Sequence, residues 1–168
     1  MKTMKKILAF ALAGVMALAL LTGCGTGSSA SHKSIAKAMA DYANGHWGKT
    51  TITCTSSAEL DALLQTWAAD PRFEAVVKAV YTDDALPTIP SGSVPSDKVV
   101  YLYCGKYDKD AGKQAINLNA HSARISGTSA LSLAAVRQIG LITTSFTDTN
   151  GKEVKVRFAV VVSEIPTP

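Results

Sequence analysis

Asn150-Gly151, set between two long runs of alternating apolar residues, constrains this fold more than any other dipeptide in the chain. Leu141–Asp148 and Lys152–Ser163 flank it, the pattern of a β-hairpin. A two-residue turn would pair Phe146 with Lys155 and Ser145 with Val156, mixing core and solvent residues on both faces. A three-residue loop, Thr149-Asn150-Gly151, pairs Phe146 with Val154, Thr144 with Val156 and Ile142 with Phe158. One residue of slip flips every side chain, so the apolar pattern selects the second register. Gly151 then takes the left-handed position of a bulge. Val154, Val156, Phe158, Val160 and Val162 form the buried face, with Lys155 and Arg157 outward.

Upstream, the same period reading finds helices and further strands. Ile35, Ala36, Met39, Ala40 and Ala43 recur at helical spacing, with Asn44-Gly45 as the stop. Lys49–Thr55 is dense in β-branched residues and reads as a strand. Ser56 and Glu59 have capping-box spacing ahead of the stripe Leu60, Leu63, Leu64, Trp67, Ala68. Asp70-Pro71 breaks that helix and opens another, capped by Asp70, whose stripe is Phe73, Val76, Val77, Val80, Tyr81. Residues 82–97 carry Pro87, Pro90 and Pro95 and read as a long connection. Val99–Cys104 is apolar throughout, as in a strand covered on both faces. Gln114–Ala120 alternates and reads as a strand; Thr128 or Ser129 caps a helix through Ile139, with Gly140 in its C-terminal turn. This order predicts an α+β fold, with a mostly antiparallel sheet of about four strands, helices packed on one face and a C-terminal β-hairpin.

The N-terminus has a different character. Lys2, Lys5 and Lys6 precede Ile7–Leu21, an apolar run interrupted only by Gly14, and then Leu21-Thr22-Gly23-Cys24. The run is about 15 residues, short of the ~20 needed to span a bilayer. This block resembles the signal peptide and lipobox of bacterial lipoproteins. The resemblance implies cleavage before Cys24, lipidation of its thiol, and an extracytoplasmic protein held at the cell membrane. It covers residues 1–24 alone; everything beyond rests on the residues themselves. The expected organisation is a signal peptide over 1–23, a lipidated cysteine and flexible tether over 24–33, and one domain over 34–168.

Removing residues 1–23 from the 168 leaves 145, enough for a single core. Three of the 17 basic residues fall in the removed segment and none of the 13 acids does. The remainder is therefore 14 against 13, or +1, with no basic stripe of the kind nucleic-acid binders show. Two cysteines remain, Cys54 and Cys104. In an oxidising compartment they are candidates for a disulfide, or for two buried thiols that pack as small hydrophobes.

Candidate chemistry is sparse. His32, His46 and His121 lack metal-ligand spacing, and neither a metal nor a cofactor is indicated. Cys104 and His121 are the residue types of a thiolate–imidazole dyad, with an Asp to orient the imidazole. Asp108-Lys109-Asp110-Ala111-Gly112 begins like a calcium loop but lacks the terminal Glu, and so reads as a solvated turn. Tyr101 and Tyr103 share a strand face and Trp47 follows the first helix. With His121 they are the candidate binding surface. The functional expectation is a non-catalytic binding or structural module of the cell envelope whose partner is a protein, peptide or glycan. The alternatives are a small hydrolase or enzyme inhibitor using Cys104/His121 or His46, and a carrier of a small ligand or metal.

Overall fold

The computed structural model of the protein describes residues 30–47, 51–89, 98–126 and 135–164. Among them the chain runs α1 (His32–Trp47), β1 (Thr53–Ser56), α2 (Ala58–Ala68), α3 (Phe73–Thr82), β2 (Lys98–Lys106), α4 (Ala111–Asn119), β3 (His121–Ser126), β4 (Val136–Thr147) and β5 (Glu153–Glu164). The strands form one sheet in the order β1-β4-β5-β2-β3. β1 lies parallel to β4, and the other three pairings are antiparallel. The architecture is α+β as expected. The sheet, however, is mixed and has five strands rather than being a mostly antiparallel one of four, because β1 joins β4 pointing the same way.

Helices cover both faces of this sheet rather than one. Leu64, Trp67, Phe73, Val76, Val77 and Val80 of α2 and α3 pack on Val100, Leu102, Ile142, Phe158 and Val160. Ile35, Ala36, Met39, Ala115 and Leu118 of α1 and α4 pack on Val99, Tyr103, Ile139, Leu141, Ala159 and Val161. The cause is written in β5, which is buried at every position from Val156 to Ser163. Burial without alternation marks a strand covered on both sides. Arg157, expected to point outward, therefore lies under the second helical layer, 4 % exposed. Its guanidinium sits over the Tyr107 ring, 5.2 Å from the centroid.

The hairpin has the expected register: Phe146 faces Val154, Thr144 faces Val156 and Ile142 faces Phe158. Gly151 N–H donates to the Asp148 carbonyl at 3.1 Å and Gly151 has φ +76°, a conformation glycine adopts without a Cβ penalty.

Other local expectations move. Ser57, not Ser56, caps α2, its hydroxyl accepting from Leu60 N–H at 3.3 Å, because Ser56 is still paired in β1. Asp70 closes a turn by accepting from Arg72 N–H at 2.9 Å, and α3 starts only at Phe73. The Asn44-Gly45 stop is overrun, since α1 continues to Trp47. Asn44 instead grips the approach to β1, donating to the Ile52 carbonyl and accepting from Ile52 N–H. The expected strand over 114–120 is α4. Asp110 caps it through Lys113 N–H, and Gln114, Ala115 and Leu118 form its inward stripe, leaving Ile116 58 % exposed. The expected helix ending at Ile139 is contradicted over 136–139, which belong to β4, and Gly140 sits mid-strand. Residues 127–134, including its Thr128 and Ser129 caps, lie outside the described residues.

β4 outruns the four-residue β1 and exposes backbone edge beyond it. There Leu141 N–H donates to Asp61 Oδ1 at 2.7 Å, and Thr147 N–H to Glu74 Oε1 at 2.9 Å. The other oxygen of Asp61 meets His32 Nδ1 at 2.8 Å, tying α1, α2 and β4 together.

Candidate functional site

α4 ends at Asn119 and the chain turns at once into β3, so His121 opens that strand. Across the antiparallel β2–β3 pair His121 stands directly opposite Cys104, on the face covered by α2 and α3. The end of α3 supplies the remaining groups. Tyr81 lies with its ring centroid 5.0 Å from that of His121 and 5.2 Å from that of Phe146. Asp83 closes α3 in the left-handed region, φ 56°, and its carboxylate accepts from His121 Nδ1 at 3.0 Å. Asp tolerates that conformation better than most residues.

Cysteine, histidine and an orienting aspartate are thus neighbours, as dyad chemistry requires. The thiol, however, is sealed. Cys104 has no exposed surface, and burial pushes its pKa up to about 12. A nucleophilic cysteine needs a depressed pKa and access. What the geometry leaves usable is a half-exposed imidazole, fixed by Asp83 and flanked by Tyr81.

The other thiol belongs to the opposite face. Cys54 on β1 is half-buried, pairs in register with Arg137 of β4, and packs against the α1/α4 side. Burial raises it to about 11, an effect the Arg137 charge opposes. Both cysteines are free. β4 and β5 lie between their strands, and three inter-strand steps of ~4.8 Å exceed the ~7 Å Cα separation a disulfide tolerates. The expected Cys54–Cys104 bond is therefore not one this sheet can close. At pH 8 burial keeps the Cys104 thiol protonated. Iodoacetamide should accordingly spare Cys104 in the native protein, label Cys54 slowly, and modify both after denaturation. Fast native labelling of Cys104, or a cross-linked peptide in an unreduced digest, would contradict this arrangement.

The remaining candidates do not gather. Tyr101 and Tyr103 do share a face, with ring centroids 6.2 Å apart, but that face is the one under α1 and α4. Tyr103 is buried, and desolvation raises its phenol to about 12. His121 occupies the opposite face, so the expected surface of Trp47, Tyr101, Tyr103 and His121 is divided by the sheet. Trp47 closes α1, and its side chain is outside the described residues. His46 has a local role: its Nδ1 meets the Tyr42 carbonyl at 2.8 Å and its ring stacks on Tyr42 at 4.0 Å, as basic groups do near helix C-termini. Among the described residues no three of His, Cys, Asp and Glu come together as metal ligands. A shallow depression beside Trp67, Arg72, Phe73 and Ile89 has room for little more than a water molecule.

The sequence reading missed Tyr81 and Asp83 as partners of His121. The acid two residues after an apolar helical stripe is visible in the sequence, but its approach to a residue 38 positions away is not. Comparison with protein-family models, with curated proteins and with solved structures found no match.

Proposed function

We propose that the protein is a lipid-anchored extracytoplasmic lipoprotein whose α+β domain serves the cell envelope as a binding or structural module. One observation carries this reading: a basic start, a short apolar run and Leu21-Thr22-Gly23-Cys24 stand in that order. The domain supports it by beginning early. Ser31 caps α1 through Ser34 N–H, so ordered structure starts within a few residues of Cys24. Among the described residues no helix is long and apolar enough to cross a membrane. The buried thiol at Cys104 weighs against a cysteine nucleophile and leaves Tyr81 with His121 as the surface best suited to meeting a protein, peptide or glycan.

The test is intact-mass analysis of the native product and fractionation of Cys24→Ala. The native protein should carry acyl mass on a chain beginning at Cys24 and remain with membranes through salt washing. Cys24→Ala should lose the acyl mass. An unmodified, full-length native chain in the aqueous fraction would overturn the reading.

A second reading, a small hydrolase that uses His121 as a base, is favoured by the Asp83–His121 contact. It predicts that His121→Ala abolishes an activity that Cys104→Ala leaves intact.

A further inference from the structure

Asn44-Gly45 and Asn150-Gly151 are the same dipeptide, and the fold gives them opposite surroundings. An asparagine followed by glycine carries its own chemistry. The glycine nitrogen can reach the asparagine side-chain carbonyl, and with no side chain of its own it is unshielded. The reaction then depends on whether the side-chain amide is free and whether the backbone beside it can turn. Asn44 has neither freedom. It lies inside α1, where helical hydrogen bonds hold the backbone. Its Nδ2 donates to the Ile52 carbonyl at 2.9 Å, and its Oδ1 accepts from Ile52 N–H at 2.7 Å.

Asn150 is the reverse case. It and Gly151 are both exposed, at the tip of the β4–β5 hairpin. Only its backbone is held, Asn150 N–H donating to Asp148 Oδ1 at 2.8 Å. Its side-chain amide has no hydrogen-bond partner among the described residues. Gly151 sits at φ +76°, and a Cβ built there would meet nothing within 4 Å, so the space beside its nitrogen is open. The Gly151 N–H donates to the Asp148 carbonyl at 3.1 Å. That is a single bond on an exposed loop tip, where local opening costs little.

We propose that Asn150 is a modification site: it deamidates spontaneously in the folded protein, while the fold protects Asn44. The Gly151 nitrogen gives up its proton to water or a buffer base and attacks Cγ of Asn150. An N–Cγ bond forms, the Cγ–Nδ2 bond breaks, and Nδ2 takes up a proton and leaves as ammonia. Water then opens the succinimide ring, with no change of oxidation state. Cleavage of the new N–Cγ bond leaves aspartate on an ordinary main chain. Cleavage of the original backbone bond leaves isoaspartate, whose main chain runs through Cγ and is longer by a methylene. Either product sets a new carboxylate beside Asp148, whose Oδ1 already accepts from Asn150 N–H and Lys152 N–H. Isoaspartate also lengthens the loop that holds Phe146 opposite Val154, and hairpin register follows loop length.

Incubation of the purified protein in mildly alkaline heavy-oxygen water, below its melting temperature, tests this. Peptide mass spectrometry then reads label uptake at each asparagine. Native protein should take up heavy oxygen at Asn150 about tenfold faster than at Asn44, which can react only when the end of α1 opens. In denaturant the two sites should convert at similar rates, because only the shared dipeptide then matters. Equal native rates would overturn the proposal. So would a native Asn150 that stays intact while the denatured chain converts. The isoaspartate form, separated by chromatography, should melt below Asn150→Asp, which carries the same charge on an ordinary main chain. Equal melting of those two would overturn the effect assigned to the longer loop.

Discussion

Gly105→Ala should destabilise the domain by about 3 kcal/mol, the upper range for forcing atoms into a packed interior. A Cβ built on Gly105 would lie 2.3 Å from the Asn117 carbonyl carbon and oxygen and 2.6 Å from Leu118 N. Those are backbone atoms of α4 and have no rotamer to yield. Either the helix lifts from β2, uncovering Ala115 and Leu118, or the strand buckles. Thermal unfolding followed by circular dichroism should show a midpoint lower by about 10 °C. Gly45→Ala is the matched control, for its Cβ would meet nothing within 4 Å on the exposed side of α1. Helix propensity should make that variant equal or slightly better, by up to about 1 kcal/mol. Equal melting of wild type and Gly105→Ala would mean that α4 does not lie on the sheet here.

Phe158→Ala should lower stability further, by about 3–5 kcal/mol, as expected when a buried aromatic leaves a void. Phe158 is fully buried, stands between Cys104 of β2 and Ile142 of β4, and meets the Phe73 ring edge-on at 5.3 Å. It thus couples α3 to the three central strands. Chemical denaturation should show a lower midpoint without a matching loss in Ile116→Ala, whose side chain is in solvent and should change stability by less than about 0.5 kcal/mol. That control also reads the structure of 114–119. Were this segment the strand its alternation suggested, Ile116 and Leu118 would share a face and respond alike.

Those two isoleucine and leucine positions show where sequence reading ran out. Long stripes on α2 and α3 were legible because five apolar residues at helical spacing line one side of a helix and would scatter over both sides of a strand. The hairpin register was legible because a slip would have turned Phe146 and Val156 to the wrong side. In 114–119 only Ile116 and Leu118 carry the alternation, and Asp110, the cap that starts the helix, stands in a polar stretch that reads as a turn. The start of β4 does not read as a strand because Arg137, 5 % exposed, interrupts its apolar pattern. The second helical layer is implicit in Phe158–Val162, unbroken in apolarity, a feature that the alternation of Val154, Val156 and Phe158 masks. For the candidate site, His121 was legible as a residue of interest and Cys104 as its neighbour in chemistry. The sealing of the thiol was not, since it depends on helices contributed from elsewhere in the chain.

On the proposed lipid anchor, Asp61 and Glu74 would have a consequence for how copies of this chain share a surface. Molecules tethered to one bilayer meet at local concentrations far above those in solution, and a bare strand flank invites neighbours to zip together. Here α2 and α3 set a carboxylate on an amide at either end of the fourth strand's free stretch, so an approaching copy meets negative charge where it would need open amides. Crowding on a membrane would then leave these domains as separate particles rather than seeding a shared ribbon.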